Sequence, residues 1–169
     1  GGNGLILTGT ADNSTIRGLV VTNFQSSGIN IMSGSDGNTI AGNYLGKLNT
    51  SGTEGTTVNT YGIYVAGASN TIGGLTAADR NVIAGNNNRG IWMNAAAAQN
   101  NLIIGNYIGT DASGLVGITN TFGDIELSTT GVNNAIGNGT AAGRNVIAGI
   151  NAGLTINASS STTVRGNYF

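Results

Sequence analysis

The chain contains no cysteine, no proline and no histidine. The missing cysteines exclude disulfides and thiolate chemistry. Charge is scarce as well: 8% of residues are charged, with a single lysine, and the net charge is −1. The few arginines are scattered, so there is no basic stripe for a phosphate backbone, and no nucleic-acid partner is expected. No apolar run is long enough for a membrane-spanning helix, so membrane insertion is not expected. No Gly-x-x-x-x-Gly-Lys-Ser/Thr run cradles a phosphate, and no cofactor is expected. Low charge with little lysine points to an extracellular or cell-surface (secreted) setting. No stretch of ten or more residues carries an apolar stripe of helical period.

What the chain has instead is glycine, 30 residues of it, and a repeat. Six times a Gly or Asp precedes the pattern apolar-x-apolar: at Leu5/Leu7, Ile29/Ile31, Ile63/Val65, Ile91/Met93, Ile125/Leu127 and Leu154/Ile156. Each is followed by a second short pattern centred on Ile16, Ile40, Ile72, Ile103, Ile136 and Val164. A third is centred on Val21, Leu45, Ile83, Ile108, Ile147 and Phe169. Alternation with period two is strand chemistry, and Gly, Asn, Ser and Thr crowd the joints as tight turns require. Asn94 to Ala98 falls in a joint and reads as turn. Three short strands per unit, none able to bury its apolar side alone, predict a single all-β domain over residues 1–169. The expected fold is a right-handed parallel β-helix of about six rungs, the last incomplete.

Two further columns are nearly pure asparagine. One runs Asn38, Asn70, Asn101, Asn134, with Ser14 and Thr162 at its ends. The other runs Asn43, Asn81, Asn106, Asn145, Asn167, with Leu19 as the exception. Their recurrence in register predicts hydrogen-bonded amide ladders rather than sugar or glycosylation sites. A two-unit super-repeat lies over the basic one: Gly42-Asn43-Tyr44 returns at 105–107 and 166–168, and Arg80 to Gly85 returns at Arg144 to Gly149. Arg80 and Arg144 repeat with the scaffold and are expected to serve it.

The runs Asn-Thr-Ile-Gly-Gly (70–74), Arg-Asn-Val-Ile-Ala-Gly-Asn (80–86) and Gly-Asn-Tyr-Ile-Gly-Thr-Asp-Ala-Ser-Gly (105–114) resemble the right-handed parallel β-helix repeats of bacterial proteins with the pectate-lyase-like fold. In particular they resemble the Asn/Gly-rich repeats of long secreted or surface-attached bacterial proteins. The resemblance covers essentially the whole chain. It implies the fold, not the function, because the superfamily holds lyases, hydrolases, epimerases, adhesins and phage fibres. Unit two departs from the pattern, with Lys47-Leu48-Asn49 where unit four has Thr110-Asp111-Ala112.

Catalysis is not expected. A pectinase-type hydrolase of this superfamily would show clustered Asp residues and a Gly-His-Gly run, and a lyase would show acidic calcium ligands beside a basic residue. Only Asp124 and Glu126 lie close in sequence. They are expected at a loop mouth on one face, roughly 6–7 Å apart, as a solvated pair and at most a weak cation site. The outward column of the first strand reads Ile6, Asn30, Tyr64, Trp92, Glu126, Thr155. Tyr64, Trp92 and Glu126 could form a platform for a polysaccharide. The competing expectation is that Tyr61, Tyr64, Trp92 and Phe122 form a satellite core under the long loops at 48–61 and 110–122. The outward column of the third strand, Val20, Tyr44, Val82, Tyr107, Val146, Tyr168, is expected to be a lateral contact stripe.

Neither end shows a cap, and the strand phase of Tyr168-Phe169 continues into Gly1 to Leu7. The expectation is a piece or repeat unit of a longer solenoid, or head-to-tail self-association through Leu5, Leu7, Tyr168 and Phe169 into fibres. Arg17 and Arg165 share a column and would approach across such a junction.

Overall fold

The computed structural model describes residues 2–169, so Gly1 of the expected junction lies outside the described residues. The first rung is β1 (Leu5–Leu7), β2 (Thr15–Arg17) and β3 (Val20–Val21); the second is β4 (Ser27–Ile31), β5 (Thr39–Ala41) and β6 (Tyr44–Gly46). The third is β7 (Tyr61–Val65), β8 (Thr71–Gly73) and β9 (Val82–Ala84); the fourth is β10 (Arg89–Ala95), β11 (Leu102–Ile104) and β12 (Tyr107–Ile108). The fifth is β13 (Gly123–Val132), β14 (Ala135–Ile136) and β15 (Val146–Ile147). The incomplete sixth is β16 (Leu154–Ser160) and β17 (Thr163–Val164), with Tyr168 bridged to Val146. Corresponding strands pair in parallel into three sheets, β1-β4-β7-β10-β13-β16, β2-β5-β8-β11-β14-β17 and β3-β6-β9-β12-β15. The fold is a right-handed parallel β-helix, the hand that crossovers between parallel strands adopt.

Each rung makes its first corner with one left-handed residue: Asn13, Gly37, Ser69, Asn100, Asn133 and Ser161 have φ from 53° to 69°. Asn and Gly tolerate that conformation best, which is why those positions are polar and small. The inward columns then stack in the predicted register, as in Ile40↔Ile72, Ile72↔Ile103 and Ile103↔Ile136. Ile29, Ile40, Ile63, Ile72, Ile83, Ile91 and Ile108 are wholly buried.

Both predicted amide ladders form. In the first, the N–H groups of Ser14, Asn38, Asn70 and Asn101 each donate to the Oδ1 of the next rung at 2.8–2.9 Å. In the second, the series from Leu19 through Asn43, Asn81, Asn106 and Asn145 to Asn167 does the same at 2.9–3.3 Å. A third column, not expected, holds the corner between the third and first sheets. Asn59, Asn86 and Asn120 are buried there, with Asn86 donating to Asn120 Oδ1 through its backbone (3.0 Å) and its Nδ2 (2.8 Å). Phe24 takes the first place in this column, donating its N–H to Asn59 Oδ1. A Cβ on Gly4 would lie 2.8 Å from the Phe24 ring. With Ala11, that ring packs against the end of the core, and Leu7 and Val21 in the first rung are only 4% exposed. The amino-terminal end is therefore partly closed, which the sequence did not suggest.

The long loops correct two expectations. They do not cover Trp92. They fold as small hairpins, bridged at Leu48↔Glu54 and Thr110↔Gly117, onto the outer face of the third sheet. There Leu48 and Ile118 bury Val82 and Ala84, with Tyr44, Tyr107 and Ala112 packed alongside. The middle of the Val/Tyr column (Tyr44, Val82, Tyr107) is thus the floor of the hairpins and not a free lateral stripe, while Val20 and Tyr168 at its ends stay exposed. Phe122 lies outside this cluster, 62% exposed. The departure in unit two is a one-residue shift. Asn49 Oδ1 accepts from the N–H of Ser51 and Thr53, as Asp111 Oδ1 accepts from those of Ser113 and Val116. Gly52 and Gly114 follow with φ of 73° and 74°. A Cβ on either would stand 2.8–3.0 Å from the ring of Tyr44 or Tyr107.

The super-repeat also has a physical content. Arg80 and Arg144 each lie with the guanidinium carbon 4.1 Å from the ring centroid of Tyr107 or Tyr168 in the next rung, donating Nε–H to the carbonyl of Gly105 or Gly166. Both arginines serve the scaffold, as their recurrence implied.

Candidate functional site

The outer face of the first sheet gathers the chain's richest cluster of side chains. Register places Asn30, Tyr64, Trp92, Glu126 and Thr155 on successive rungs. Tyr61 stacks on Trp92 with ring centroids 4.9 Å apart, and Tyr64 meets Trp92 edge-on at 5.3 Å. The rings are oriented by polar tips. Tyr64 Oη–H donates to the Asn94 carbonyl (2.9 Å) and Trp92 Nε1–H to Ser128 Oγ (3.0 Å). Ser128 Oγ–H in turn donates to Glu126 Oε1, and Arg89 Nε–H to Glu126 Oε2. The Arg89 guanidinium also lies 5.2 Å from the Trp92 ring centroid and donates to Asn88 Oδ1 (2.7 Å).

Glu126 is therefore not the free acid that the sequence suggested. Burial pushes its carboxyl up, but the bonds from Arg89 and Ser128 and the Arg89 charge outweigh this and hold it below the ordinary value. It stays ionised and cannot donate a proton as a general acid would. Both of its oxygens are already occupied. What the face offers a ligand is ring surface and Thr155; Asn30 Oδ1, though without a partner, is buried out of a ligand's reach.

Asp124 does not join Glu126. It is buried at a position where the other rungs carry glycine, and its Oδ1 accepts from Asn120 Nδ2 at 2.8 Å. The expected solvated pair at a loop mouth is thus split: one carboxylate lies in the wall of the solenoid, the other in an ion pair on its surface. No group of three or more metal-ligating acidic side chains occurs among the described residues.

A polar cleft of about 370 Å³ lies between the hairpins and the third corner, lined by Lys47, Glu54, Val58, Asn87, Ile118 and Thr121 among others. Its one carboxylate, Glu54, is bound to Lys47 Nζ at 2.7 Å. The loops therefore make neither an acidic groove nor a cover for the aromatics.

The residues expected at the junction are placed unequally. Phe169 is 71% exposed and Tyr168 half exposed under Arg144, whereas Leu5 is half-buried and Leu7 is already buried. Arg17 is held by Asp79 at 2.7 Å and by the Ala78 carbonyl, while Arg165 has no ion-pair partner among the described residues.

No protein-family model, curated protein or solved structure matches this chain.

Proposed function

We propose that the chain is a non-catalytic structural or adhesive β-solenoid of the extracellular or cell-surface kind. It would be a rod segment whose end rungs receive further rungs in register, in the simplest case from a second copy, head to tail. The observation that carries this reading is the contrast between the inner rungs and the sixth. Inward residues of the second to fifth rungs are essentially inaccessible, while Ile156 (40%), Val164 (39%) and Phe169 (71%) in the sixth are open beside unpaired strand edges. Such a surface is satisfied by another rung. The near-neutral charge offers little long-range repulsion. With Arg17 already paired to Asp79, its approach to Arg165 costs less than two free cations would. What supports the non-catalytic reading is that Glu126, Glu54 and Asp79 are each committed to a basic side chain. Sedimentation of the purified chain over rising concentration tests association. End-to-end oligomers that Ile156→Glu and Phe169→Glu abolish are expected. A monomer at every concentration and salt level ends the head-to-tail reading.

A second reading, polysaccharide binding at Tyr64, Trp92 and Glu126, is favoured by one observation: the part-exposed rings of Tyr64 and Trp92 lie together on one face. Trp92 fluorescence should then respond to an oligosaccharide, and Trp92→Ala should abolish binding in a folded protein. A flat response across a broad glycan array removes this reading.

A further inference from the structure

Asp124 is the one buried acid that no scaffold bond explains fully. The third amide column descends Asn59, Asn86, Asn120 through the second, third and fourth rungs. The fifth rung has none, since Ala148-Gly149-Ile150 occupies the place. The Asp124 carboxyl group reaches into it instead. Its Oδ1 takes the bond from Asn120 Nδ2 that a ladder Oδ1 would take, as Asn120 Oδ1 takes one from Asn86 Nδ2. Its Oδ2 is buried and makes no well-formed hydrogen bond, although the amides of Gly149 and Ala148 approach the carboxyl group. In a ladder amide, the second atom is a donor: Asn86 Nδ2 gives to the Leu45 carbonyl and Asn120 Nδ2 to that of Ile83. A carboxylate has no hydrogen to give, while a carboxylic acid has one.

The pocket is built for this group. A Cβ on Gly109 would stand 2.7 Å from Oδ2, and one on Gly149 3.0 Å from Oδ2 and Cγ. No charged side chain faces it. Arg89 on β10 is turned outward onto Glu126, the outward neighbour on β13 itself. Tyr107 on β12 lies under Arg80, and Arg144 before β15 lies over Tyr168. β16 and the 148–152 corner carry no ionisable side chain.

We propose that Asp124 is an acid-responsive latch of the fifth rung. Protonated, its carboxyl group fills the place of the missing ladder amide without a buried charge, and the 148–152 corner stays closed onto the fourth rung. Deprotonated, it leaves a charge in the wall that Asn120 and the amides of Gly149 and Ala148 offset only in part, and that corner loosens. The proton comes from solvent, and nothing else is consumed.

The sign follows from burial. Burial raises the Asp124 carboxyl from 3.8 to about 6, against the smaller opposing effects of Asn120 and the amides of Gly149 and Ala148. The folded state thus binds the proton more tightly than the unfolded chain. The stabilisation is complete below the unfolded value and is lost as pH rises through about 6. Hydrogen exchange on the intact chain reads it directly. Protection of the Ala148 amide, which donates to the Ile108 carbonyl, and of the Asp124 amide, which donates to the Ala152 carbonyl, corrected for intrinsic rates, should fall about tenfold between about pH 5 and pH 7.5. Asp124→Asn should keep the acid-level protection at both. Protection independent of pH in the wild type, or an unchanged pH dependence in the Asn variant, overturns the latch. If that variant does not fold, the ¹³C carboxyl titration of Asp124 in the wild type decides: a midpoint near about 4, the ordinary carboxylate range, overturns the proposal.

Discussion

Replacing Asn106 by leucine tests whether the amide ladders hold the solenoid or merely decorate it. Leucine has the same count and branching of side-chain heavy atoms, is somewhat bulkier and is far more apolar, so a core driven by burial alone would welcome it. Asn106 is wholly buried. Its Oδ1 accepts from the Asn81 N–H (3.3 Å) and Nδ2 (2.9 Å). Its Nδ2 donates to the carbonyls of Ile72 (2.9 Å) and Ile104 (3.0 Å) and to Asn145 Oδ1 (3.0 Å). Leucine removes all of these. The buried Asn81 N–H is left without an acceptor, and Ile72 O loses its side-chain donor. Each orphaned buried group costs about 1–3 kcal/mol. The leucine side chain returns about 1.5–3 kcal/mol by burial, and less here, because Gly73 closes the space: a Cβ on it would lie 2.6 Å from Asn106 Oδ1. The net expectation is a loss of about 2 kcal/mol.

The assay is urea unfolding followed by far-UV circular dichroism, with Asn87→Leu as the control. Asn87 is exposed and outside the ladders, so its replacement should change stability by less than about 0.5 kcal/mol. The midpoint for Asn106→Leu should fall with the slope unchanged. A drop in slope would mean that the rungs no longer unfold as one unit, as repeat arrays can. A variant as stable as wild type, or as mildly affected as Asn87→Leu, would refute the ladder argument.

Other outcomes follow from the same geometry. Ile72→Ala should cost about 2–5 kcal/mol and the half-buried neighbour Thr71→Ala little; equal effects in thermal melts would mean a strand register wrong by one residue. Gly114→Val should displace the 110–117 hairpin, since φ is 74° there and the Tyr107 ring is 2.8 Å from the added Cβ. Faster proteolysis at that hairpin with the core strands still protected is the expected result. Stability should also fall at strongly acid pH. Asp79, held low by Thr76 and Arg17, and Asp111, held low mainly by Ser113, stabilise the fold above their unfolded values and lose this as pH falls through their folded ones. A melting temperature still rising below about pH 3 would contradict these assignments.

The parts legible in the sequence are those where every rung obeys one spacing. Ile16, Ile40, Ile72, Ile103 and Ile136 recur at the same distance from their ladder residue, so their register could be read before any coordinate. The third amide column was not legible, because its spacing is broken. Asn59 follows Leu45 after a long hairpin, Asn86 follows Ile83 directly, and Asn120 follows Ile108 after another hairpin. Phe24 in its first place and Asp124 in its last hide the pattern further. The hairpins' destination was illegible for a related reason. Gly52 and Gly114 look like ordinary turn glycines, and only the structure shows that they lie on tyrosine rings one sheet away from the expected aromatics.

Asp124 and Glu126 show why spacing alone misled at the candidate site. Two residues apart on a strand, they should share a face. But Asp124 is only the second residue of the strand, at the corner, where the other rungs carry glycine because no side chain fits. There the chain is still turning, and the side chain follows the corner inward rather than the sheet outward. The inward route exists only because Gly109 and Gly149 lack a Cβ and the fifth rung lacks its ladder amide. A buried carboxylate is an expensive substitute for asparagine at neutral pH, and it replaces a residue type this chain uses at that corner in the three preceding rungs. The choice of acid over amide at that one corner is the feature of this solenoid that stacking alone does not account for.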